Sequence, residues 1–298
     1  MSLSTTPSSS LAVIPPLDPA NPIELNHRHP NNPFYKSCMK LHFEPLESSL
    51  NYSGNYRTYV SLSLEGIVTL SQLNYNIALQ DPSLKKNFPS TQIERCLHSS
   101  TKKLLLLDLD ETLIHADFDG EYPSKSYDAV ISFMGKKGEK CSVGVFIRNG
   151  LSFFLENVSK EFEIGIFTAS TQEYADAVIK YIDPDNKYFK FKLYRDACVS
   201  ACGVNIKDLS LISSDDNDMK RIVLVDNSLY SFANQIRNGV LINSFYNDKN
   251  DYDLLNVMNY LLNYLVKADD VREVNEQVFN FEDIMNQLYQ QQQQQGKL

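Results

Sequence analysis

From Leu104 to Leu107 the chain runs through four consecutive leucines, and two acids follow at Asp108 and Asp110. Four leucines leave no polar face. A strand built from them is buried on both sides, the condition of a parallel sheet covered by helices. The carboxyl ends of strands in such an open α/β sheet form the crevice where ligands sit, and Asp108 and Asp110 would stand there. Carboxylates at the end of a buried strand are costly unless they are paired, hydrogen-bonded or bound to a metal. For a lone Asp-x-Asp, a helix cap or an acidic turn is the commoner explanation.

The fuller stretch Asp108-Leu109-Asp110-Glu111-Thr112-Leu113-Ile114-His115 gives separate chemical tasks to separate residues. Asp108 suits a nucleophile toward phosphorus, splitting one hard hydrolysis into two easier steps through an aspartyl-phosphate. Asp110 can protonate the leaving oxygen and later take a proton from water. A carboxylate does not approach an anionic phosphate without neutralisation, so Mg²⁺ held by one or two carboxylates is implied. Thr112 would fix the loop by hydrogen bonds to the backbone.

On these residues the chain resembles the haloacid-dehalogenase (HAD) superfamily, and the form Asp-Leu-Asp-Glu-Thr-Leu-Ile-His is similar to its FCP/SCP branch. That branch holds the NLI-interacting-factor-like phosphatases of the RNA polymerase II C-terminal domain. The resemblance implies an α/β fold: a HAD-like doubly wound parallel sheet with a small β-hairpin insertion and flexible N- and C-terminal extensions.

Further along, Phe162–Phe167 is a second apolar run, delivering Thr168 to the same edge, with Tyr174, Val178 and Tyr181 continuing as a helix. Alone, Thr168 reads as an N-cap; in a series it becomes a ligand of phosphate oxygen. A third run, Arg221–Val225, ends in Asp226-Asn227, and Gly239–Ile242 extends the sheet. Recurrent apolar strands ending in polar residues and separated by helical stretches fit a doubly wound sheet whose loops meet at one crevice. In that arrangement Asp226 and Asn227 complete a magnesium shell with Asp108 and the backbone carbonyl of Asp110.

The resemblance further implies that Lys207 is the cation steadying the phosphate, and that Arg195 contacts substrate phosphate as a planar bidentate donor. It places Phe118 and Tyr174 in an apolar pocket beside the phosphoserine, although either reads equally well as an ordinary surface or core aromatic. Lys187, Lys190 and Lys192 read as a solvated face, and the acidic stretch Ser213–Asp218 as a solvated loop. There are departures. Where the family commonly has Arg-Pro-Gly the chain has Arg148-Asn149-Gly150, Leu229 replaces a usual proline, and Thr171 stands where a leucine is usual beside the pocket.

The chain has 298 residues, of which 43% are hydrophobic, enough for one good-sized core with appendages. No apolar run approaches the roughly 20 residues a bilayer span needs. The start carries no basic-then-apolar leader, so a soluble intracellular protein is expected. Five cysteines without a Cys-x-x-Cys pair suit reduced thiols. A net charge of −9 argues against direct nucleic-acid binding and requires any attraction for an anionic substrate to be local.

Residues 1–36, rich in Ser, Pro, Asn and Thr, read as a disordered tail in which His27 and His29 are solvated. Residues 37–100 form an extension of unknown role, with Tyr56–Leu73 alternating as one or two strands. The phosphatase domain spans 101–268. Its insertion, 118–146, is read as a hairpin turning at Gly135–Gly138, too small to enclose a metabolite, so the crevice is expected to stay open to a protein or peptide. Leu151, Phe154, Leu155 and Val158 mark one helix face, and Leu254, Met258, Leu261 and Leu265 another. Residues 269–289 are a helical extension able to pack on the core or seat a partner protein, and 290–298 a disordered glutamine tail.

Together these readings imply a magnesium-dependent serine/threonine phosphoprotein phosphatase, with the polymerase C-terminal domain or another phosphoprotein as substrate and a nuclear rather than cytoplasmic location favoured by the resemblance. A small-molecule phosphatase and a non-catalytic scaffold on the same fold remain the alternatives.

Overall fold

Leu104 to Leu107 are each at most 1% exposed, because their strand has hydrogen-bonded neighbours on both edges and helices packed nearby. The computed structural model describes residues 63–64, 66–68, 88–118, 126–201 and 203–294. In chain order its strands are β1 (Lys103–Leu107), β2 (Ile114–Asp117), β3 (Ala129–Met134), β4 (Lys140–Ile147), β5 (Phe162–Phe167), β6 (Phe189–Leu193), β7 (Val199–Ala201), β8 (Val204–Ile206), β9 (Ile222–Asp226) and β10 (Gly239–Leu241). The helices are α1 (Ser90–His98), α2 (Leu151–Glu161), α3 (Gln172–Ile182), α4 (Asp216–Met219), α5 (Asp253–Tyr260), α6 (Val271–Phe279) and α7 (Phe281–Gln294).

The main sheet is parallel, in the order β10-β9-β1-β5-β6. Strands are added outward from β1 in both directions, so the order reverses at its carboxyl end, which is where an open α/β sheet forms its crevice. In the register of β1, Leu107 lies opposite Ile166 on one side and Val225 on the other. Asp108, Thr168 and Asp226 therefore leave adjacent strands at nearly one level. Burying each leucine of β1 contributes roughly 1.5–3 kcal/mol. Truncating Leu106 to Ala would cost about 2–5 kcal/mol, depending on how far the cavity collapses.

β6 was not anticipated. Its Phe-Lys-Phe-Lys-Leu alternation gives a buried Phe189, Phe191 and Leu193 with lysines between, a period of two that marks an edge strand facing core on one side. Reading Lys190 and Lys192 only as cations hid the signal. Lys192 moreover pairs with Asp176 at 2.9 Å.

The insertion is the expected hairpin, joined by a strand that precedes it. β3 and β4 pair antiparallel as expected, turning through Gly138 at φ +82°, but β2 pairs with the other edge of β4 to give the sheet β2-β4-β3. Residues 119–125 of it lie outside the described residues. Because β2 begins just after the Asp108–Thr112 stretch, this small sheet is tied directly to the acidic loop.

The expectation of strands within Tyr56–Leu73 falls mostly outside the described residues; those described there, 63–64 and 66–68, are helical. Leu64 and Ile67 share one core cluster with Ile93, Cys96 and Leu97 of α1 and with the sheet. The expected tail at 1–36 also lies outside the described residues.

The acidic stretch is not simply solvated. Asp215 caps α4 by accepting from the Asn217 N–H. Asp218 is buried and accepts from Ser213 Oγ at 2.6 Å, while Asp216 pairs with Arg272 at 2.7 Å. At the C-terminus α5 passes into a π turn at Leu261–Leu265, burying Leu254, Leu261 and Leu265, with Met258 only partly covered. Asn280, at φ 56°, separates α6 from α7. Phe279 and Phe281 stack on each other at 5.3 Å between ring centres and belong to the same core. The glutamines are not a coil throughout: α7 continues through Gln294.

Candidate active site

Asp108 follows the last residue of β1, and its backbone N–H donates to the Val225 carbonyl, which keeps it in the sheet while its side chain enters the crevice. Lys207, following β8, is 1% exposed. Its Nζ donates to Asp108 Oδ1 and to Asp226 Oδ2, each at 2.5 Å. Those two carboxylate oxygens thus lie no more than two short hydrogen bonds apart.

The Lys207 position is itself anchored. Its N–H donates to Ser231 O, and the buried carboxylate of Asp208 accepts from Asn234 Nδ2, Gln235 Nε2 and Ser210 N. Of these partners Ser231, Asn234 and Gln235 belong to the turn-rich segment Leu229–Asn238 that follows Asp226, so the loop carrying the lysine and the loop carrying the aspartate are one hydrogen-bonded unit.

Asp110 occupies a different environment. Its Oδ2 accepts from Ser170 Oγ at 2.6 Å and its Oδ1 from Tyr174 OH at 2.5 Å. Burial raises the Asp110 carboxyl above its ordinary range, against the pull of these two bonds. Burial and the neighbouring Asp110 keep the Tyr174 phenol protonated, and hence a donor. Glu111, the next residue, takes φ 56°, a left-handed backbone that a non-glycine residue holds only when its surroundings enforce it. Its carbonyl accepts from Phe245 N and its carboxylate meets His115 Nδ1 at 3.1 Å.

Two carboxylates, Asp108 and Asp226, share one ammonium here. Burial pushes Asp108 up to about 8, opposed by Lys207 and reinforced by Asp226. Burial disfavours the charge on Lys207 too, but the two aspartates outweigh it and hold the ammonium above the ordinary lysine range. The excess of negative charge suits a cation. Asp108, Asp226, the Asn227 amide and the Asp110 carbonyl offer hard oxygen donors, and Mg²⁺ needs only one or two carboxylates because it keeps several waters. Among the described residues no group of three or more His, Cys, Asp or Glu is arranged as an all-protein metal cage.

The remaining sequence-derived residues fall at varied distances from this cluster. Thr168 is 1% exposed, and its Oγ1 accepts from Ser170 N at 3.1 Å, turning the chain so that Ser170 meets Asp110. Thr112 is fully buried; its hydroxyl reaches the Asn227 side chain at 3.4 Å rather than the backbone, and Asn227 Nδ2 donates to Ser244 Oγ. Arg195 is exposed and donates from Nε to Ala169 O at 2.6 Å, so it stands at the rim beside the Thr168 turn. Phe118 is 62% exposed and 5.1 Å, between ring centres, from Tyr174, which also meets Phe133. Tyr174 is therefore more than an apolar wall, since its hydroxyl holds Asp110.

Sequence reasoning missed Ser170 and Arg148. Ser170 stands two residues beyond Thr168, in the same strand-to-helix turn, and a hydroxyl there was the available signal. Arg148, fully buried, donates to Thr112 O at 3.0 Å and pairs with Asp251 at 2.8 Å. Nothing local in the sequence announces a partner 103 residues away. Of the cysteines, Cys96, Cys141 and Cys198 are free thiols, and burial pushes Cys198 up to about 12.

Residues 103–272 match the family model described as NLI interacting factor-like phosphatase. Over 178 residues the chain is 40% identical to "CTD small phosphatase-like protein 2" of Dictyostelium discoideum, covering 59% of this chain and 29% of that protein. It is 34% identical over 176 residues to "CTD small phosphatase-like protein 3" of Caenorhabditis elegans, covering 59% of each. With "CTD nuclear envelope phosphatase 1" of Xenopus tropicalis it shares 32% identity over 215 residues, 70% of this chain and 82% of that one. The chain thus spans less than two thirds of the first two relatives. Among the described residues no helix is long and apolar enough to cross a membrane.

Proposed function

Because this chain belongs to the NLI interacting factor-like phosphatase family, we propose that it is a magnesium-dependent phosphoprotein phosphatase acting on phosphoserine or phosphothreonine. The observation that carries this reading is the Lys207 ammonium lying between Asp108 and Asp226, beside an Asp110 held by two hydroxyl donors. Two carboxylates in contrasting environments, one ion-paired and one held by neutral hydroxyls, are what a nucleophile and a proton shuttle require.

In this reading an Asp108 oxygen attacks phosphorus, forming the new P–O bond as the ester P–O bond breaks. Asp110 passes its proton to the departing serine or threonine oxygen. Water then attacks the phosphorylated Asp108, giving its proton back to Asp110 and releasing phosphate. Lys207 keeps the attacking oxygen in place and steadies the negative charge that accumulates on the phosphoryl group. Thr168 and Arg195 contribute donors to the phosphate oxygens. When bound, Mg²⁺ neutralises the phosphate so that a carboxylate can approach; Asp108, Asp226, Asn227 and the Asp110 carbonyl would hold it.

The substrate side of the proposal rests on the insertion. Phe118 is exposed and meets the buried Tyr174, whose ring also meets Phe133, and an exposed aromatic next to the residue that holds Asp110 suits a peptide flanking the phosphorylated residue. Relatives named for the CTD and for the nuclear envelope support the polymerase C-terminal domain as a substrate to test and a nuclear or nuclear-envelope location.

The test compares magnesium-dependent turnover of an aryl phosphate, polymerase-tail phosphopeptides carrying phosphate at different serines, and sugar phosphates. Phosphopeptides are expected to be the best substrates, with Asp108→Asn abolishing turnover while leaving the fold intact. Preference for sugar phosphates would make this a small-molecule phosphatase, and inactivity on all three a scaffold.

A further inference from the structure

Arg148 is fully buried, an unusual place for a guanidinium unless every donor has a partner. It takes no part in the chemistry just described. Nη1 donates to the Thr112 carbonyl at 3.0 Å and lies 3.5 Å from the Glu111 carbonyl. Nη2 donates to the Asn243 carbonyl at 2.9 Å and to Asp251 at 2.8 Å, and Nε to the other Asp251 oxygen at 2.9 Å. The side chain therefore bridges the loop carrying Asp108 and Asp110 and the loop between β10 and α5. Its own backbone N–H donates to Leu113 O, and it follows β4 directly.

From this geometry we infer that Arg148 is a positioning residue for the acidic loop, holding the strained Glu111 turn so that Asp110 meets both Ser170 and Tyr174. The inference rests on the phosphatase reading for its kinetic consequence, but the clamp itself is a structural claim. Glu111 sits at φ 56°, one residue after Asp110, and its carbonyl has two donors, Phe245 N and the more distant Arg148 Nη1. Asp251 pairs with Nε and Nη2 and offsets the buried charge, while the bonds to the Thr112 and Glu111 carbonyls come from Nη1, on the other side of the planar fork. A lysine at the same place can serve the carbonyls or Asp251, but its single point charge cannot span both.

The test uses the full chain and two variants. Arg148→Lys keeps a buried positive charge while losing the fork, so kcat on an aryl phosphate is expected to fall by about 10²-fold, the scale of a catalytic group misplaced by an ångström, with KM changed less than about threefold. Asp251→Asn disturbs the same ion pair but leaves the donors to Thr112 and Glu111, so it is expected to lower Tm while keeping kcat within about threefold of wild type. Equal loss of kcat in both variants, or a Tm loss without a kcat loss in Arg148→Lys, overturns the inference. If Arg148→Lys does not fold, Arg148→Met with Asp251→Asn removes the clamp with less charge stranded, and the same kcat loss is expected. Amide hydrogen exchange at Leu113, Ile114 and Phe245, whose N–H groups bond to Leu109 and Glu111 carbonyls, reads the clamp without any turnover. Exchange there is expected to rise about tenfold in Arg148→Lys with β9 unchanged, and unchanged exchange overturns the inference. A wild-type chain inactive on every phosphate with these amides still loosened by the variant would sink the functional reading alone.

Discussion

The ammonium of Lys207 lies 2.5 Å from Asp108 Oδ1, though 99 residues separate the two in the chain. Asp226 meets the same nitrogen at the same distance, so a single buried cation holds two carboxylates that would otherwise repel. Removing it should do more than stop catalysis. Lys207→Met leaves both aspartates buried without their partner, and breaking a buried pair in this way is expected to lower the unfolding free energy by about 3–5 kcal/mol. Urea unfolding at neutral pH checks it. A loss under about 1 kcal/mol would mean that solvent or a cation already satisfies the pair.

Asp110 depends on two hydroxyls, Ser170 and Tyr174. Each of Ser170→Ala and Tyr174→Phe removes one donor and keeps the shape of its side chain, so each is expected to lower kcat by about tenfold, within the range of general acid–base catalysis. The two donors act on the same carboxylate, so the double variant should lose less than the product of the single losses or more than it, but not match it. Simple multiplicativity in kcat would show that the hydroxyls act independently of Asp110.

Much of this arrangement is legible in the sequence because it is written in apolar runs. Leu104–Leu107 and Ile222–Val225 have no polar residue and Phe162–Phe167 only Glu163 near its start, and the first polar residue after each run is set at the sheet edge by geometry alone. What is not legible has a common cause: the deciding partner is remote. Whether Tyr174 turns its hydroxyl to Asp110 depends on how α3 is rotated against β1, which helical period does not state. Arg148 shows only its place before Asn149-Gly150 in the sequence, and its partner Asp251 is 103 residues away. The lysines of β6 mask a strand, because two charges alternate with the core residues Phe189, Phe191 and Leu193. Glutamines 290 to 294 extend α7 since glutamine is an acceptable helix former and a helix already packed through Phe281 supplies the costly nucleus.

Asp253 gives the fold a pH dependence of its own. Burial, reinforced by Asp251, pushes its carboxyl up to about 6 from an ordinary value of 3.8, against the pull of Arg148. A carboxyl whose pKa is higher in the folded state binds its proton more tightly there. Its contribution is therefore most favourable below about pH 4, and it declines as pH rises toward 6. The span corresponds to a loss on the order of 3 kcal/mol at neutral pH. Asp253→Asn keeps an oxygen acceptor for the Asn243 amide, which bonds Asp253 at 2.6 Å, and removes the buried charge. The variant is expected to be more stable than wild type at pH 7.5 and equal to it near pH 4. Denaturant unfolding at both pH values decides it, and a variant weaker at pH 7.5 would show that pairing with Arg148 outweighs burial.

Asn149 stands where the family resemblance leads one to expect the proline of Arg-Pro-Gly, and its side chain takes a role of its own. Its Nδ2 donates to the Lys249 carbonyl at 2.7 Å and lies within 3.3 Å of the Asp248 and Asp251 carbonyls, so the side chain ties down the loop that delivers Asp251 to Arg148. Proline has no donor and could not do this; the amide replaces a backbone restraint with a tether across 100 residues. Asn149→Ala removes the tether, and with the site only half-buried the loss is expected to be about 1–2 kcal/mol. Amide exchange in residues 248–253 should quicken before the rest of the fold. Turnover should hold within about threefold, because Arg148 keeps its bond to the Thr112 carbonyl through a different nitrogen from those that reach Asp251. If kcat instead falls with the loop, the 248–251 segment reaches the acidic loop through Asn149 as well as Arg148.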